Sequence, residues 1–266
     1  MGFLQTMVDA TRAEVARPEY LDGLPAQGAR HPPSLRTALT DGSPHGAILA
    51  EYKRRSPGAT HPDLPRQGLD AFVRETSEAG VDAYSCLASR PEFGGAPGDV
   101  AELATLTTCP ILFKDFVIDP VQIEAATRAG ASAVLLIARL EAEGLLRHSL
   151  HALADAAHAR GLEVLLEWHG RAELRRTEDV PADVYGVNVR DLDSLEIHRT
   201  VADETIRAAS HFRPLIGMSG IEGSADARRF WDAGVDGILV GTALSRAPNP
   251  RTFLASLRRP TRGGSA

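Results

Sequence analysis

Eight short apolar runs, separated by longer amphipathic segments, are the feature that most constrains the fold of this chain. Near-continuous apolar runs of this length are typical of parallel strands that are buried on both faces. Eight such strands within a chain of 266 residues predict an α/β fold, a closed (βα)8 TIM barrel, with an open doubly wound sheet as the alternative. The runs cover residues 46–51, 82–87, 110–116, 133–138, 162–168, 184–189, 214–219 and 237–241.

The segments between the runs carry the start and stop signals of helices. Helices are predicted over residues 120–129, 145–160 and 226–233, and a glycine follows each of them directly. Proline is favoured in the first turn of a helix and glycine just after the last turn. An Ala-Gly pair stands between a helical segment and an apolar run three times along the chain. This order indicates a repeated α/β unit with right-handed crossovers.

The first 45 residues lie outside this repeat. Residues 3–15 have the pattern of an amphipathic helix, and a connector containing four prolines follows. We therefore expect residues 1–45 to be an N-terminal helical extension packed on the barrel. Residues 46–257 are expected to form the (βα)8 barrel catalytic domain, and residues 258–266, rich in Arg and Gly, a flexible tail.

Composition excludes several classes of partner. The net charge of −6 argues against a nucleic acid or an anionic membrane surface as the main partner. No apolar stretch is long enough to span a membrane, and the nine histidines show no metal-binding spacing. The two cysteines, Cys86 and Cys109, lie far apart next to apolar runs, as expected for buried thiols in a reducing compartment. The cytoplasm is the predicted location.

Lysine is rare in this chain and stands at two conspicuous places. Of 29 basic Lys and Arg residues, only Lys53 and Lys114 are lysines, and each stands at the end of an apolar run. Arginine cannot lose its proton in a protein, whereas lysine can act as an acid or a base. The two lysines are therefore predicted to carry chemistry; the alternative is that both belong to surface ion pairs.

Polar side chains stand at the ends of five predicted strands. In a barrel these ends meet at one mouth, where charged groups can form a proton-transfer site. The alternative is a set of strand-end ion pairs or solvated rim charges. The residues are Glu51 and Lys53 on the first strand, Lys114 on the third, Glu167 on the fifth, Asn188 and Arg190 on the sixth, and Ser219 on the seventh.

The last two strands are followed by glycine-containing loops. Ser219-Gly220 follows the seventh strand and Gly241-Thr242 follows the eighth. Barrels often build phosphate sites from these two loops, because glycine lets backbone N–H groups approach the anion. The pair predicts a phosphorylated small-molecule ligand; ordinary glycine turns are the alternative.

Several segments resemble the indole-3-glycerol phosphate synthase family. They are Ala-Glu-Tyr-Lys-Arg-Arg-Ser-Pro at residues 50–57, Lys-Asp-Phe-Val-Ile-Asp-Pro at 114–120 and Gly-Val-Asn-Val-Arg-Asp-Leu at 186–192. The similarity covers nearly the whole chain. It implies a carbon–carbon lyase that closes the ring of 1-(2-carboxyphenylamino)-1-deoxyribulose 5-phosphate, with loss of CO2 and water, in tryptophan biosynthesis. It also implies that no cofactor or metal is needed, and that the enzyme can associate with other tryptophan-pathway enzymes.

The resemblance also implies roles for single residues. Lys114 would be the general acid at the substrate's carbonyl oxygen, and Glu167 the acid/base partner in the later dehydration. Glu51 and Asn188 would position Lys114 and the substrate hydroxyls, and Arg190 would meet the substrate carboxylate. The remaining expected site residues, which surround the phosphate, assist protonation or bind the substrate, are Lys53, Ser56, Phe116, Ser219, Gly220, Gly241 and Thr242.

The chain departs from the family pattern at several positions. Met218 stands where a glutamate is usual, Phe113 where an arginine is usual, and Trp168-His169 where smaller residues are common. The loop after the first strand is shortened. These changes are expected to alter the shape and charge of the pocket. They leave two alternatives: a paralogue acting on a modified anthranilate-derived substrate in secondary metabolism, or a catalytically silent barrel that binds a phosphorylated ligand.

Overall fold

A computed structural model describes residues 2–26, 32–41, 45–55 and 68–260. Eight parallel strands pair in chain order, and the last pairs with the first, which closes the sheet. The predicted (βα)8 barrel is therefore confirmed, and the open sheet is excluded. The strands are β1 (Ala47–Tyr52), β2 (Ala83–Leu87), β3 (Ile111–Lys114), β4 (Ala133–Ile137), β5 (Glu163–Trp168), β6 (Val184–Asn188), β7 (Leu215–Met218) and β8 (Gly237–Val240).

Helices precede the barrel and alternate with its strands. Two stand before β1: α1 (Phe3–Val15) and α2 (Leu35–Asp41), with a 3-10 turn at Pro18–Leu21 between them. The others are α3 (Leu69–Glu78), α4 (Pro97–Leu106), α5 (Pro120–Arg128), α6 (Ala138–Ala142), α7 (Leu150–His158), α8 (Arg171–Thr177), α9 (Arg199–Ala208), α10 (Ser224–Asp232), α11 (Thr242–Arg246) and α12 (Pro250–Leu257).

The predicted helix bounds are confirmed for three helices and wrong for one. Helices α1, α5 and α10 match the predicted segments to within two residues. The helix predicted over 145–160 begins only at Leu150, because the hydroxyl of Ser149 accepts a hydrogen bond from the backbone N–H of Ala152 at 3.2 Å. A serine side chain that accepts this bond caps the helix and excludes the residues before it from the helical turn.

Every second side chain along a strand points into the barrel and fills its interior. On β1, Leu49 belongs to the apolar cluster inside the barrel, and Glu51, two residues on, points the same way and lines the mouth. On β5, Leu165 and Glu167 repeat the arrangement. The barrel interior is thus apolar at the level of Leu49 and Leu165 and charged at the carboxyl ends of the strands. That charged layer is the floor of the cavity described below.

The two helices before β1 cover opposite ends of the barrel. At the carboxyl end, Phe3 of α1 lines the mouth and the backbone N–H of Leu4 donates to Asp193 at 3.1 Å. At the amino end, the backbone N–H of Arg36 in α2 donates to Glu163, the first residue of β5, at 2.9 Å. Leu39 of α2 is buried there. The division of the chain at residues 45 and 257 stays a prediction.

The start of the predicted tail contacts the barrel. Arg258 donates a hydrogen bond to the carbonyl of Gly46 at 2.7 Å and pairs with Asp82 at 2.8 Å. Residues 261–266 lie outside the described residues.

Candidate active site

A cavity of about 320 Å³ opens at the carboxyl ends of the strands. It brings together every predicted site residue except Ser56, which lies outside the described residues. The predicted residues that line it are Glu51, Lys53, Lys114, Phe116, Glu167, Asn188, Arg190, Ser219, Gly220, Gly241 and Thr242. Charged groups from distant positions along the sequence therefore face the same cavity, as the barrel geometry predicted.

Glu51 joins the two lysines of the chain. Its Oε1 accepts a hydrogen bond from Nζ of Lys53 at 2.9 Å, and its Oε2 lies 3.9 Å from Nζ of Lys114. Burial alone would raise the pKa of Glu51, but the positive charges of Lys53 and Lys114 lower it below its ordinary value. Glu51 is therefore an ionised carboxylate that holds two ammonium groups at the floor of the cavity. Both lysine side chains are largely buried in the lining of the cavity, and their part in the chemistry stays a prediction.

Glu167 stands deeper and has a different partner. Its side chain is 1% exposed, and its Oε1 lies 3.2 Å from Nε2 of His169. Burial would raise the pKa of Glu167, but the contact with His169 and the charge of Lys114 lower it. The other oxygen, Oε2, is buried and has no hydrogen-bond partner among the described residues. Glu167 nevertheless belongs to the lining of the cavity.

Asn188 and Arg190 are held in place at the end of β6. The amide oxygen of Asn188 accepts a hydrogen bond from the backbone N–H of Arg190 at 3.0 Å. The guanidinium of Arg190 donates to the carbonyl of Leu195 at 2.7 Å. Both side chains line the cavity with their positions fixed by the β6 loop itself.

Asp115, between Lys114 and Phe116, shapes the loop after β3. Its carboxylate accepts hydrogen bonds from the backbone N–H of Phe116 and from Nε2 of Gln122, each at 2.8 Å. Burial raises the pKa of Asp115 to about 6 despite these bonds. The loop so formed directs Lys114 and Phe116 into the cavity. Asp115 therefore has a structural part in the Lys-Asp-Phe segment.

One side of the cavity is apolar. Phe116 and Phe93 lie with their ring centroids 6.3 Å apart, and Leu192 and Phe3 lie on the same lining. The sequence gives no signal that Phe3 reaches the site, because nothing in the pattern of α1 shows which loop it covers. The result is an apolar wall large enough for a flat ring beside the ionic floor.

The loops after β7 and β8 approach the cavity with their backbones. Ser219 and Gly220 both have positive φ, 67° and 65°. At Gly241 a β-carbon would lie 2.4 Å from Oε1 of Glu51, so only glycine fits between the loop and the carboxylate. Arg246 of α11 also lines this side, which the sequence does not predict.

Two of the bulky departures from the family pattern do not reach the cavity. Phe113 and Trp168 pack in the apolar layer between strands and helices. The expectation that they alter the pocket is therefore wrong, because both alternate with inward-facing neighbours along their strands. Met218, in contrast, is buried in the lining of the cavity.

Two kinds of feature are absent from the described residues. No group of three or more His, Cys, Asp or Glu residues in the described part of the chain is arranged to hold a metal ion. None of the described helices is long and apolar enough to cross a membrane.

Fold and site together define a (βα)8 barrel whose carboxyl-end mouth holds an acid/base cluster beside an apolar wall and two glycine-containing loops. The chain belongs to the indole-3-glycerol phosphate synthase family, whose model matches residues 4–257. Enzymes named indole-3-glycerol phosphate synthase from Staphylococcus aureus strains USA300 and MW2 are 38% identical over 219 residues, which cover 81% of this chain and 80% of theirs. The resemblance seen in the sequence is confirmed.

Two solved structures share the fold at low sequence identity. Thiamine phosphate pyrophosphorylase from Pyrococcus furiosus has a TM-score of 0.59 and 19% identity, covering 84% of this chain and 96% of its own. The 3-hexulose-6-phosphate synthase from Salmonella typhimurium has a TM-score of 0.59 and 15% identity, covering 79% and 96%. These matches support the barrel fold alone.

Proposed function

We propose that the protein is a carbon–carbon lyase that converts 1-(2-carboxyphenylamino)-1-deoxyribulose 5-phosphate to indole-3-glycerol phosphate, CO2 and water in tryptophan biosynthesis. The observation that carries the proposal is the joint placement of Lys114 and Glu167, from β3 and β5, on the lining of one cavity. Membership of the family supports the same conclusion.

Lys114 is the proposed general acid of the ring closure. The aryl carbon that bears the carboxylate attacks the carbonyl carbon, and the electron pair of the C=O bond moves to oxygen. That oxygen needs a proton, which the ammonium of Lys114 supplies. Glu51 lies 3.9 Å from Nζ of Lys114 and keeps this ammonium at the floor of the cavity. Loss of CO2 then returns the C–C bonding pair to the ring.

Glu167 is the proposed acid/base group of the dehydration. The new hydroxyl leaves as water after the ammonium of Lys53, on the lining of the same cavity, gives its oxygen a proton, and the ring gives up a proton to become aromatic. An ionised Glu167 can accept the second proton, because its pKa is lowered and it lines the cavity. Asn188, which lines the cavity at the end of the neighbouring strand β6, is proposed to bind a substrate hydroxyl.

Other parts of the cavity are proposed to bind the phosphate, the aromatic ring and the carboxylate of the substrate. The loops carrying Ser219-Gly220 and Gly241-Thr242, with Lys53 beside them, are proposed to bind the phosphate. The wall that contains Phe116 is proposed to bind the aromatic ring, and Arg190 its carboxylate. Ser56 stays a predicted phosphate contact that lies outside the described residues.

A second candidate function is the same ring closure on a modified anthranilate-derived substrate. Met218 favours it, because this apolar side chain lines the cavity beside the acid/base groups. A catalytically silent barrel is disfavoured, because two lysines and two buried glutamates remain grouped in the cavity. The cytoplasm and an association with other tryptophan-pathway enzymes stay predictions.

The test is the appearance of indole fluorescence when the carboxyphenylamino-deoxyribulose phosphate is added to the purified protein. We expect a rise with the wild type and none with Lys114→Ala. Arg128→Ala, which removes a cation paired on the outside of α5 at 2.7 Å from Glu124, is the matched control and should keep full activity. No rise with a folded wild type would contradict the proposal. A rise only with ring-substituted substrates would establish the second candidate instead.

A further inference from the structure

A chain of buried charges stands behind Glu167, away from the cavity. His169, two residues along from Glu167, has a side chain that is 2% exposed. Its Nε2 lies 3.2 Å from Oε1 of Glu167, and its Nδ1 lies 3.4 Å from Oε2 of Glu173. His169 does not line the cavity, so it has no route to the substrate except through Glu167.

Both ring nitrogens of His169 face a carboxylate oxygen. A neutral imidazole carries one N–H and one lone pair, so one of its nitrogens would present a lone pair to a buried anion. An imidazolium presents an N–H to each carboxylate and adds a positive charge between two negative ones. The contacts are ion pairs rather than aligned hydrogen bonds, since neither nitrogen meets hydrogen-bond geometry. The charged ring is therefore the form that this site accommodates.

Glu173, on the other side of His169 from Glu167, is itself held by two contacts. Oε2 of Glu173 accepts a hydrogen bond from the backbone N–H of His169 at 2.7 Å, and Oε1 pairs with Nε of Arg139 at 2.7 Å. Arg139 also pairs with Asp191 at 2.6 Å. The series Glu167, His169, Glu173, Arg139, Asp191 alternates in sign and connects the end of β5 with α8, α6 and the loop after β6.

We infer that His169 is a positioning residue for Glu167, a charged imidazole that fixes the carboxylate and keeps it ionised as the proton acceptor of the reaction. The inference rests on the proposed function, since it assigns a task to the same site. Burial alone would lower the pKa of His169, but its contacts with Glu167 and Glu173 raise it to about 9, in agreement with a charged ring at neutral pH.

The expected pH effect follows from the groups that face Glu167. His169 faces it from its own strand end, Lys114 from β3 and Glu51 from β1, and burial acts on all of them. Without the charge of His169, Lys114 is the main positive group that lowers the pKa of Glu167, and burial is the main effect that raises it. The proton-accepting form of Glu167 is then reached only at higher pH. The acid limb of the kcat profile should move upward.

Two substitutions separate the contact from the charge. In His169→Gln the amide nitrogen can take the place of Nε2 beside Glu167, but without charge. In His169→Asn the amide is too short to reach Glu167. We expect His169→Asn to lower kcat by about tenfold or more with KM within about twofold, because the substrate-binding groups are untouched. The acid limb of its kcat profile should rise by about one pH unit or more. His169→Gln should recover part of kcat, while the acid limb of its profile stays displaced to higher pH.

A measurement on the unsubstituted protein keeps the inference testable if the variants fail to fold. With 15N-labelled histidine, the ring nitrogens of His169 should show both-protonated chemical shifts at pH 7.5. A neutral imidazole in an active wild type would overturn the positioning role alone. So would superimposable kcat profiles for wild type and a folded His169→Asn. A folded wild type with no activity would overturn the proposed function and the positioning role with it.

Discussion

Gly241 and Glu51 occupy adjoining space: a β-carbon on Gly241 would lie 2.4 Å from Oε1 of Glu51. That same oxygen accepts the hydrogen bond of Lys53, and the other oxygen of the carboxylate lies 3.9 Å from Nζ of Lys114. The loop after β8 therefore limits where the carboxylate can stand, and the carboxylate limits where both lysines can stand. A residue without chemistry of its own thus controls the position of the proposed general acid.

Replacing Gly241 with alanine is expected to displace Glu51 and, through it, Lys114. The loss in kcat/KM should be about tenfold to a hundredfold, since misplacement by about 1 Å is enough for that. The measurement is steady-state kinetics by indole fluorescence.

The control for this variant is Gly98→Ala. A β-carbon there meets nothing within 4 Å, and Gly98 lies in helix α4 and does not line the cavity. It should keep wild-type kinetics and gain slightly in stability, because alanine favours a helix. Equal kinetics for Gly241→Ala and Gly98→Ala would show that the close approach has no bearing on the reaction.

Lys114→Arg should lose activity although it keeps the charge. Arginine does not release its proton in a protein, so it cannot act as a general acid at the carbonyl oxygen. We expect kcat to fall by about 10² to 10⁴, the range of a general acid/base contribution, with substrate binding retained. Single-turnover kinetics would measure the rate of the chemical step, and ligand-induced thermal stabilisation would measure substrate binding. An active Lys114→Arg would mean that Lys114 serves only as a charge.

Stability should depend on pH through His169. The pKa of this group is raised from 6.5 to about 9 in the folded protein. A raised histidine pKa gives stability that is complete below the unfolded value and disappears as pH rises through the folded value. The pKa values of Glu167 and Glu173 are lowered, so both stay ionised across this window.

We therefore expect the difference in free energy of unfolding between wild type and His169→Asn to shrink from pH 6.5 to about 9. Urea unfolding at several pH values measures it. A difference that stays constant over this range would contradict a charged histidine.

Trp168→Phe should affect stability and leave catalysis unchanged. Trp168 is fully buried outside the strands, stacks on Tyr185 at 5.3 Å and donates from Nε1 to Thr177 at 2.9 Å. The variant loses that hydrogen bond and some volume, which should cost about 1–3 kcal/mol. The free energy of unfolding and the steady-state kinetics, measured on the same preparation, test both expectations. A changed KM would show that the indole does influence the substrate pocket.

Much of the fold could be predicted because the strands of a closed barrel are buried on both faces. Each strand then shows as an apolar run, and its first polar residues mark the mouth, as Glu51 and Lys114 do. The same alternation that turns Glu167 inward turns Trp168 outward, so the orientation of Trp168 was also within reach of the sequence. The extent of α7 was not, because its apolar spacing continues past the point where Ser149 caps the helix.

The charges behind the site were harder to foresee. His169 and Glu173 are four residues apart, but they meet because α8 begins directly after β5 and turns Glu173 back toward it. Arg139 comes from helix α6, 34 residues away from Glu173 in the chain. Contacts of this kind depend on how neighbouring βα units pack, and a single sequence carries little signal of that packing.

The placement of α1 and α2 bears on how the molecule can be dissected. Residues from before the first strand pack at both ends of the barrel: Leu4 belongs to the interior apolar cluster, and Leu39 lies against Gly237 at the amino end. A protein started at β1 would keep every strand and still lose both contacts. The segment that stands outside the repeat is therefore part of the folded core, and removing it would expose apolar side chains at two separate places.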